Sequence, residues 1–171
     1  REAEGVVLHA SAGGIILDRS IFYPTGGGQP GDAGVLEWPG GSVAITTTVK
    51  GEDGAIALIP KSGMPLPPEG QTVRQVLNWE QRHGHMRVHT ALHLLSVVVP
   101  MPVSGGSISA AKGRLDFDMP DAPEDKQGLE DALNALISAD HIVSEEWITD
   151  ADLDANPDLV KTMSVQSPRG S

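Results

Sequence analysis

The sequence predicts an α+β fold: a small glycine-rich β-barrel over residues 1–78, followed by an α+β domain over residues 79–171. Three observations predict it. Short apolar runs separated by glycine and proline fill the first half. Near Trp79 the apolar spacing changes to steps of three and four. Beyond that point, helical spacing alternates with extended stretches. With 171 residues, 39% of them apolar, the chain is large enough to bury a core in each part.

Val6, Val7 and Leu8 lead through the turn residues Ser11 to Gly14 into Ile15, Ile16 and Leu17, which reads as a hairpin. Further strands are expected over residues 35–38, 43–49, 55–59 and 72–77. Glycine and proline punctuate this half, and such spacing suits a small barrel. Val88, Leu92, Leu95 and Val99 then fall on one helical face, and Pro100 and Pro102 stop that helix. Residues 108–118 read as extended, with Leu115 and Phe117 alternating with charges. Leu129, Ala132, Leu133, Leu136 and Ile137 mark a helix over residues 126–139. Residues 141–148 alternate as a strand, and Thr149 caps a short acidic helix that Pro157 interrupts. The chain has no internal repeat.

The net charge of −11 opposes binding through many phosphate contacts, because each contact needs a cation to displace counterions. Its distribution is uneven. Arg74, Arg82, His83, His85, Arg87, Lys112 and Arg114 cluster with Glu80 as the one acid before Asp116, so a local basic surface is compatible with the composition. Without cysteine there is neither a disulfide framework nor a thiolate nucleophile. No apolar run approaches the ~18 residues of a membrane span, and no leader opens the sequence, so a cytoplasmic protein that uses neither membrane nor DNA is expected.

His85, His89 and His93 recur every four residues along the predicted helix. They cannot all bind one ion: eight residues of helix span about 12 Å, whereas two zinc–nitrogen bonds bridge only ~4 Å. His89 and His93, set among Ala91, Leu92, Leu94 and Leu95, form the better pair, which leaves His85 to face solvent or substrate. Thr90 stands where a His-Glu-x-x-His protease carries its general base, which argues against that enzyme. An alternative is two ordinary core histidines.

Thr25-Gly26-Gly27-Gly28-Gln29-Pro30-Gly31 cannot be a helix interior or a central strand. It lacks the Lys, the following Ser or Thr, and the helix of a phosphate-binding P-loop. It is therefore either a flexible connector or a loop whose amides, Thr25 hydroxyl and Gln29 amide meet a polar ligand. Ser104-Gly-Gly-Ser107-Ile-Ser109, followed by Lys112 and Arg114, either faces a ligand in the same way or forms a hairpin turn.

Taken in order, Phe22-Tyr-Pro-Thr-Gly-Gly-Gly-Gln-Pro-Gly31, Trp79, His85-Met-Arg-x-His-Thr-Ala-x-His-Leu-Leu95 and residues 105–117 resemble the editing domain of alanyl-tRNA synthetases and its free-standing AlaX-type relatives. The resemblance covers most of the chain. It implies a glycine-rich barrel joined to an α+β editing domain, and hydrolysis in trans of the ester linking serine, or glycine, to alanine tRNA. It also implies zinc on His89 and His93 together with a later Cys and His. This sequence contains neither, stopping at Ser171 where a strand towards them would begin, and it is expected to be incomplete at its C-terminus.

Under that resemblance, Thr25 is the expected reader of the serine hydroxyl. A site that hydrogen-bonds this group disfavours alanine by as much as ~10⁴. Gln29 would orient the ester or the attacking water, and Gly26, Gly27 and Gly28 would lie near the terminal adenosine or the developing oxyanion. Ser107, Arg87, Lys112 and Arg114, with Arg74 and Arg82, would meet the tRNA. Two rivals are the editing module of threonyl-tRNA synthetases, which lacks the glycine-rich barrel loop, and a non-catalytic tRNA-binding module that has lost its metal.

Overall fold

A computed structural model describes residues 1–156 and 159. Pro157 and residues 166–171, for which sequence expectations exist, lie outside the described residues. The chain divides into two compact units, one formed by Arg1–Met86 with Ile108–Ala111, the other by Arg87–Ser107 with residues from Lys112 onward. The division falls at Met86, inside a helix, rather than at residue 78. No helix among the described residues is long and apolar enough to cross a membrane.

In the first unit, six strands close an antiparallel barrel in the order β1-β2-β5-β4-β3-β6: β1 (Glu2–Ser11), β2 (Gly14–Leu17), β3 (Gly34–Trp38), β4 (Gly41–Lys50), β5 (Ile56–Pro60) and β6 (Thr72–Leu77). Every strand read from the sequence over residues 1–78 is present. Alternation sends Val7, Ile15, Leu17, Leu36, Val43, Ile45, Leu58, Val73 and Leu77 inward, where they pack with Phe22. Closure leaves the barrel no unpaired edge. β4 shifts register between Ile45 and Thr47, and such an irregularity bends a strand at a barrel corner.

The connection between β2 and β3 carries the glycine-rich segment, and buried polar side chains hold it to the barrel. Gln75, fully buried on β6, accepts from the Ile21 amide at 3.1 Å and donates to the Arg19 carbonyl at 3.1 Å. Glycine is required by space at two contacts. A Cβ on Gly31 would lie 1.9 Å from the Thr48 carbonyl oxygen, and one on Gly34 would lie 2.2 Å from that of Val76.

Helix α1 (Trp79–Val98) gives its first turns to this unit, where a Cβ on Gly84 would meet Ala110 at 2.8 Å. The second unit contains the rest of α1, the hairpin β7 (Val103–Ile108) with β8 (Gly113–Phe117), α2 (Lys126–Ser138) and α3 (Asp150–Ala155). Val88 and Leu92 of α1 pack on β8 where Gly113 leaves room. Asp125 caps α2 by accepting from the Gly128 amide at 2.7 Å, and Thr149 with Asp152 forms a capping box on α3.

Two expectations are corrected in this unit. The segment at 104–109 is mostly strand rather than turn: Gly105 and Gly106 face Asp116 and the Arg114 carbonyl at distances that leave little room for a Cβ. The chain reverses after Ile108 instead. Residues 141–148 form no strand. Their backbone finds no ladder partner among the described residues, and alternation alone does not make a strand without one. Ile142 and Trp147 are consequently 94% and 90% exposed.

Candidate functional residues

In the first unit, residues 23–32 form an Ω-loop whose ends are tied together. The Asp32 amide donates to the Tyr23 carbonyl at 2.9 Å, and the Tyr23 amide donates to Asp32 Oδ2 at 2.7 Å. At the tip, Gly26 and Gln29 exchange backbone hydrogen bonds of 3.1 and 3.0 Å around Gly27 and Gly28, whose φ values are +57° and +77°. Positive φ at both central residues is the signature of a type I′ turn, which accounts for the adjacent glycines. The loop is thus a built turn, not a flexible connector. Tyr23 braces it by donating from its hydroxyl to the Gly26 carbonyl at 3.1 Å.

Gly27 and Gly28 are exposed, and their N–H groups donate to no acceptor among the described residues. The Gly28 carbonyl accepts from Ile108 at 2.9 Å, so the residue after Ser107 abuts the turn. Thr25 is exposed but already engaged. Its amide and its Oγ1 both donate to the Thr48 carbonyl, at 2.9 and 3.2 Å, and its Oγ1 accepts from the Gly31 amide at 2.9 Å. A hydroxyl has one proton and two lone pairs, so one acceptor position remains. Gln29 is 6% exposed, held inside rather than displayed at the tip.

Beneath the loop, the buried Asp32 meets Arg82. Arg82 Nε donates to both carboxylate oxygens at 2.8 and 2.9 Å, Nη2 donates to Oδ2, and Nη2 donates to the Ile21 carbonyl at 3.1 Å. Hydrogen bonding to Asp32 raises the guanidinium pKa above its ordinary value, against desolvation. Sequence reasoning missed this pair: the partners are fifty positions apart and no local pattern joins them.

The basic residues grouped along the sequence do not all form an open basic surface. Arg74 pairs with Glu2 and Glu37, Arg82 with Asp32, and Arg114 with Asp116. Arg87 is exposed with no ion pair among the described residues, and Lys112 is exposed just before β8. His85, expected to face solvent or substrate, is 2% exposed, and its Nδ1 has no partner among the described residues. It lies one residue after Gly84, which has Ala110 close against it.

In the second unit, the His89 and His93 rings stack, with centroids 4.9 Å apart and planes 17° from parallel. Burial, and then the charge of His93, hold the His89 pKa below its usual value and favour the neutral imidazole that ligates metals. No group of three or more metal-ligating side chains occurs among the described residues. Imidazole nitrogen is a donor type that zinc accepts, and the described residues bring no third ligating side chain to this pair.

The family model described as tRNA synthetases class II (A) matches residues 1–81, the barrel and the start of α1. The alanyl-tRNA editing protein AlaX-M of Pyrococcus horikoshii is 36% identical over 128 residues, 71% of this chain and 57% of that protein. The chain belongs to the AlaX-type editing-domain family. AlaX-L of the same organism is 44% identical over 85 residues, 50% of this chain and 21% of AlaX-L. The alanine–tRNA ligase of Thermus thermophilus is 37% identical over 142 residues, 78% of this chain and 16% of that enzyme. The chain thus spans less than two thirds of each of these AlaX-type and ligase relatives.

Proposed function

We propose that this protein is an aminoacyl-tRNA deacylase that hydrolyses the ester of wrongly charged alanine tRNA in trans, with serine, and also glycine, as the amino acid removed. The observation that carries this reading is Thr25: an exposed hydroxyl oriented by two backbone partners, beside a turn with two exposed amides. Its proton is committed to Thr48, so it reads a serine hydroxyl as acceptor. Alanine offers no such donor and leaves that acceptor unpaired, which disfavours it. The Gly27 and Gly28 amides are suited to the oxygen that gains charge when water attacks the ester carbonyl, with Gly26 shaping the turn. Gln29 orients the ester or that water from within the loop. The ribose hydroxyl of the terminal adenosine then leaves.

His89 and His93 would hold zinc with further ligands, and its chemistry there would be to anchor the substrate amine and ester or to polarise the carbonyl. Ser107, Arg87, Lys112 and Arg114 face the tRNA in this reading, and the expected setting is cytoplasmic. Arg87 supplies an exposed charge without an ion pair among the described residues. Arg87→Glu is accordingly expected to weaken tRNA binding and to reduce its log–log salt slope by about one. A titration at several salt concentrations checks this, and an unaltered slope removes Arg87 from the interface.

A second reading is a tRNA-binding module without hydrolysis. Comparing deacylation of serine-charged and alanine-charged tRNA decides between them.

A further inference from the structure

The buried Asp32 carboxylate and the part-buried Arg82 guanidinium share more hydrogen bonds than any other ion pair among the described residues. Asp32 receives Arg82 on both oxygens and the Tyr23 amide on one. Its backbone closes the Ω-loop through Tyr23, and its carbonyl accepts from the buried Thr48 hydroxyl at 2.9 Å. Thr48 is also the residue whose carbonyl receives Thr25. One chain of hydrogen bonds thus runs from the first turn of α1, through Asp32 and Thr48, to the Thr25 hydroxyl.

A buried ion pair is weak evidence for stability, because apolar residues of similar volume often replace it without loss. Apolar residues would not reproduce the directional bonds to the Tyr23 amide and the Ile21 carbonyl. Those bonds set where the two ends of the loop lie, and hence where its tip points. Grouped by sequence with the tRNA-facing cations, Arg82 instead directs Nε and Nη2 into the protein.

We propose that Asp32 and Arg82 are positioning residues, which hold Thr25 and the Gly26–Gln29 turn in the geometry that ester hydrolysis requires. The proposal rests on the deacylase reading above. Removing Arg82 alone leaves the Asp32 charge buried without its cation and invites unfolding. The informative variant is therefore the double change Asp32→Asn with Arg82→Met, beside Arg82→Lys.

The test combines steady-state hydrolysis of serine-charged alanine tRNA with amide hydrogen exchange on the same proteins. The double variant is expected to keep its thermal midpoint and its KM while kcat falls about 100-fold, the scale of a misplacement near 1 Å. The Thr25 and Gly31 amides are expected to exchange at least ~tenfold faster while barrel amides do not change. Arg82→Lys should recover part of kcat. A folded double variant with the wild-type kcat overturns the proposal, and so does a rise in KM alone, which would make Arg82 a substrate contact. If the wild-type protein hydrolyses nothing, the deacylase reading fails; unchanged exchange at Thr25 and Gly31 then overturns the clamp independently.

Discussion

Gly31→Ala is expected to destabilise the protein by ~3 kcal/mol or more, the upper end of the range for overpacked sites. The added Cβ would stand 1.9 Å from the Thr48 carbonyl oxygen and 2.7 Å from the Thr48 nitrogen. Both are backbone atoms of a fully buried residue, so no side-chain rotation relieves the contact. The loop would have to lift from β4, taking with it the bonds from Thr25 to the Thr48 carbonyl and from Thr48 to Asp32. Gly63→Ala is the control. Its added Cβ would meet nothing within 4 Å, but its φ is +78°, so the expected cost is the conformational ~1–2 kcal/mol. Chemical denaturation of both variants checks the contrast, and equal losses would remove the steric argument.

Thr25→Val is expected to lower the preference for serine-charged over alanine-charged tRNA by ~10² or more, because a site built to bond a hydroxyl owes its discrimination to that bond. Valine has the shape of threonine without the hydroxyl, so packing persists while the remaining acceptor disappears. Loss of the Gly31 and Thr48 partners should also cost about 1–2 kcal/mol of stability. Thr25→Ser restores the hydroxyl and should restore most of the selectivity. Measuring kcat/KM for both substrates on both variants separates reading from bracing. A fall shared equally by serine and alanine substrates would make Thr25 a brace alone.

The strands of the barrel were legible because glycine and proline punctuate them, and α1 because Val88, Leu92 and Leu95 recur at helical spacing. The strand order was not legible, since closing β1 on β6 depends on contacts between distant residues. In the candidate site, the sequence singled out Thr25, the glycines and the histidine pair as candidates by residue type. It did not disclose that Gly27 and Gly28 form a type I′ turn, nor that Thr48, Asp32 and Arg82 organise Thr25 from beneath. Such partners carry no local signature. Residues 141–148 fail for the opposite reason: Ile142 and Trp147 lie in a strand-like alternation, but a strand exists only where a neighbour accepts its hydrogen bonds.

The most direct test of the central claim is deacylation of Ser-tRNA(Ala) beside Ala-tRNA(Ala) by the full-length protein, at one enzyme concentration and one salt concentration. The account predicts rapid loss of serine with alanine spared. Loss of neither ester while the tRNA still binds would contradict it, leaving a tRNA-binding module in its place.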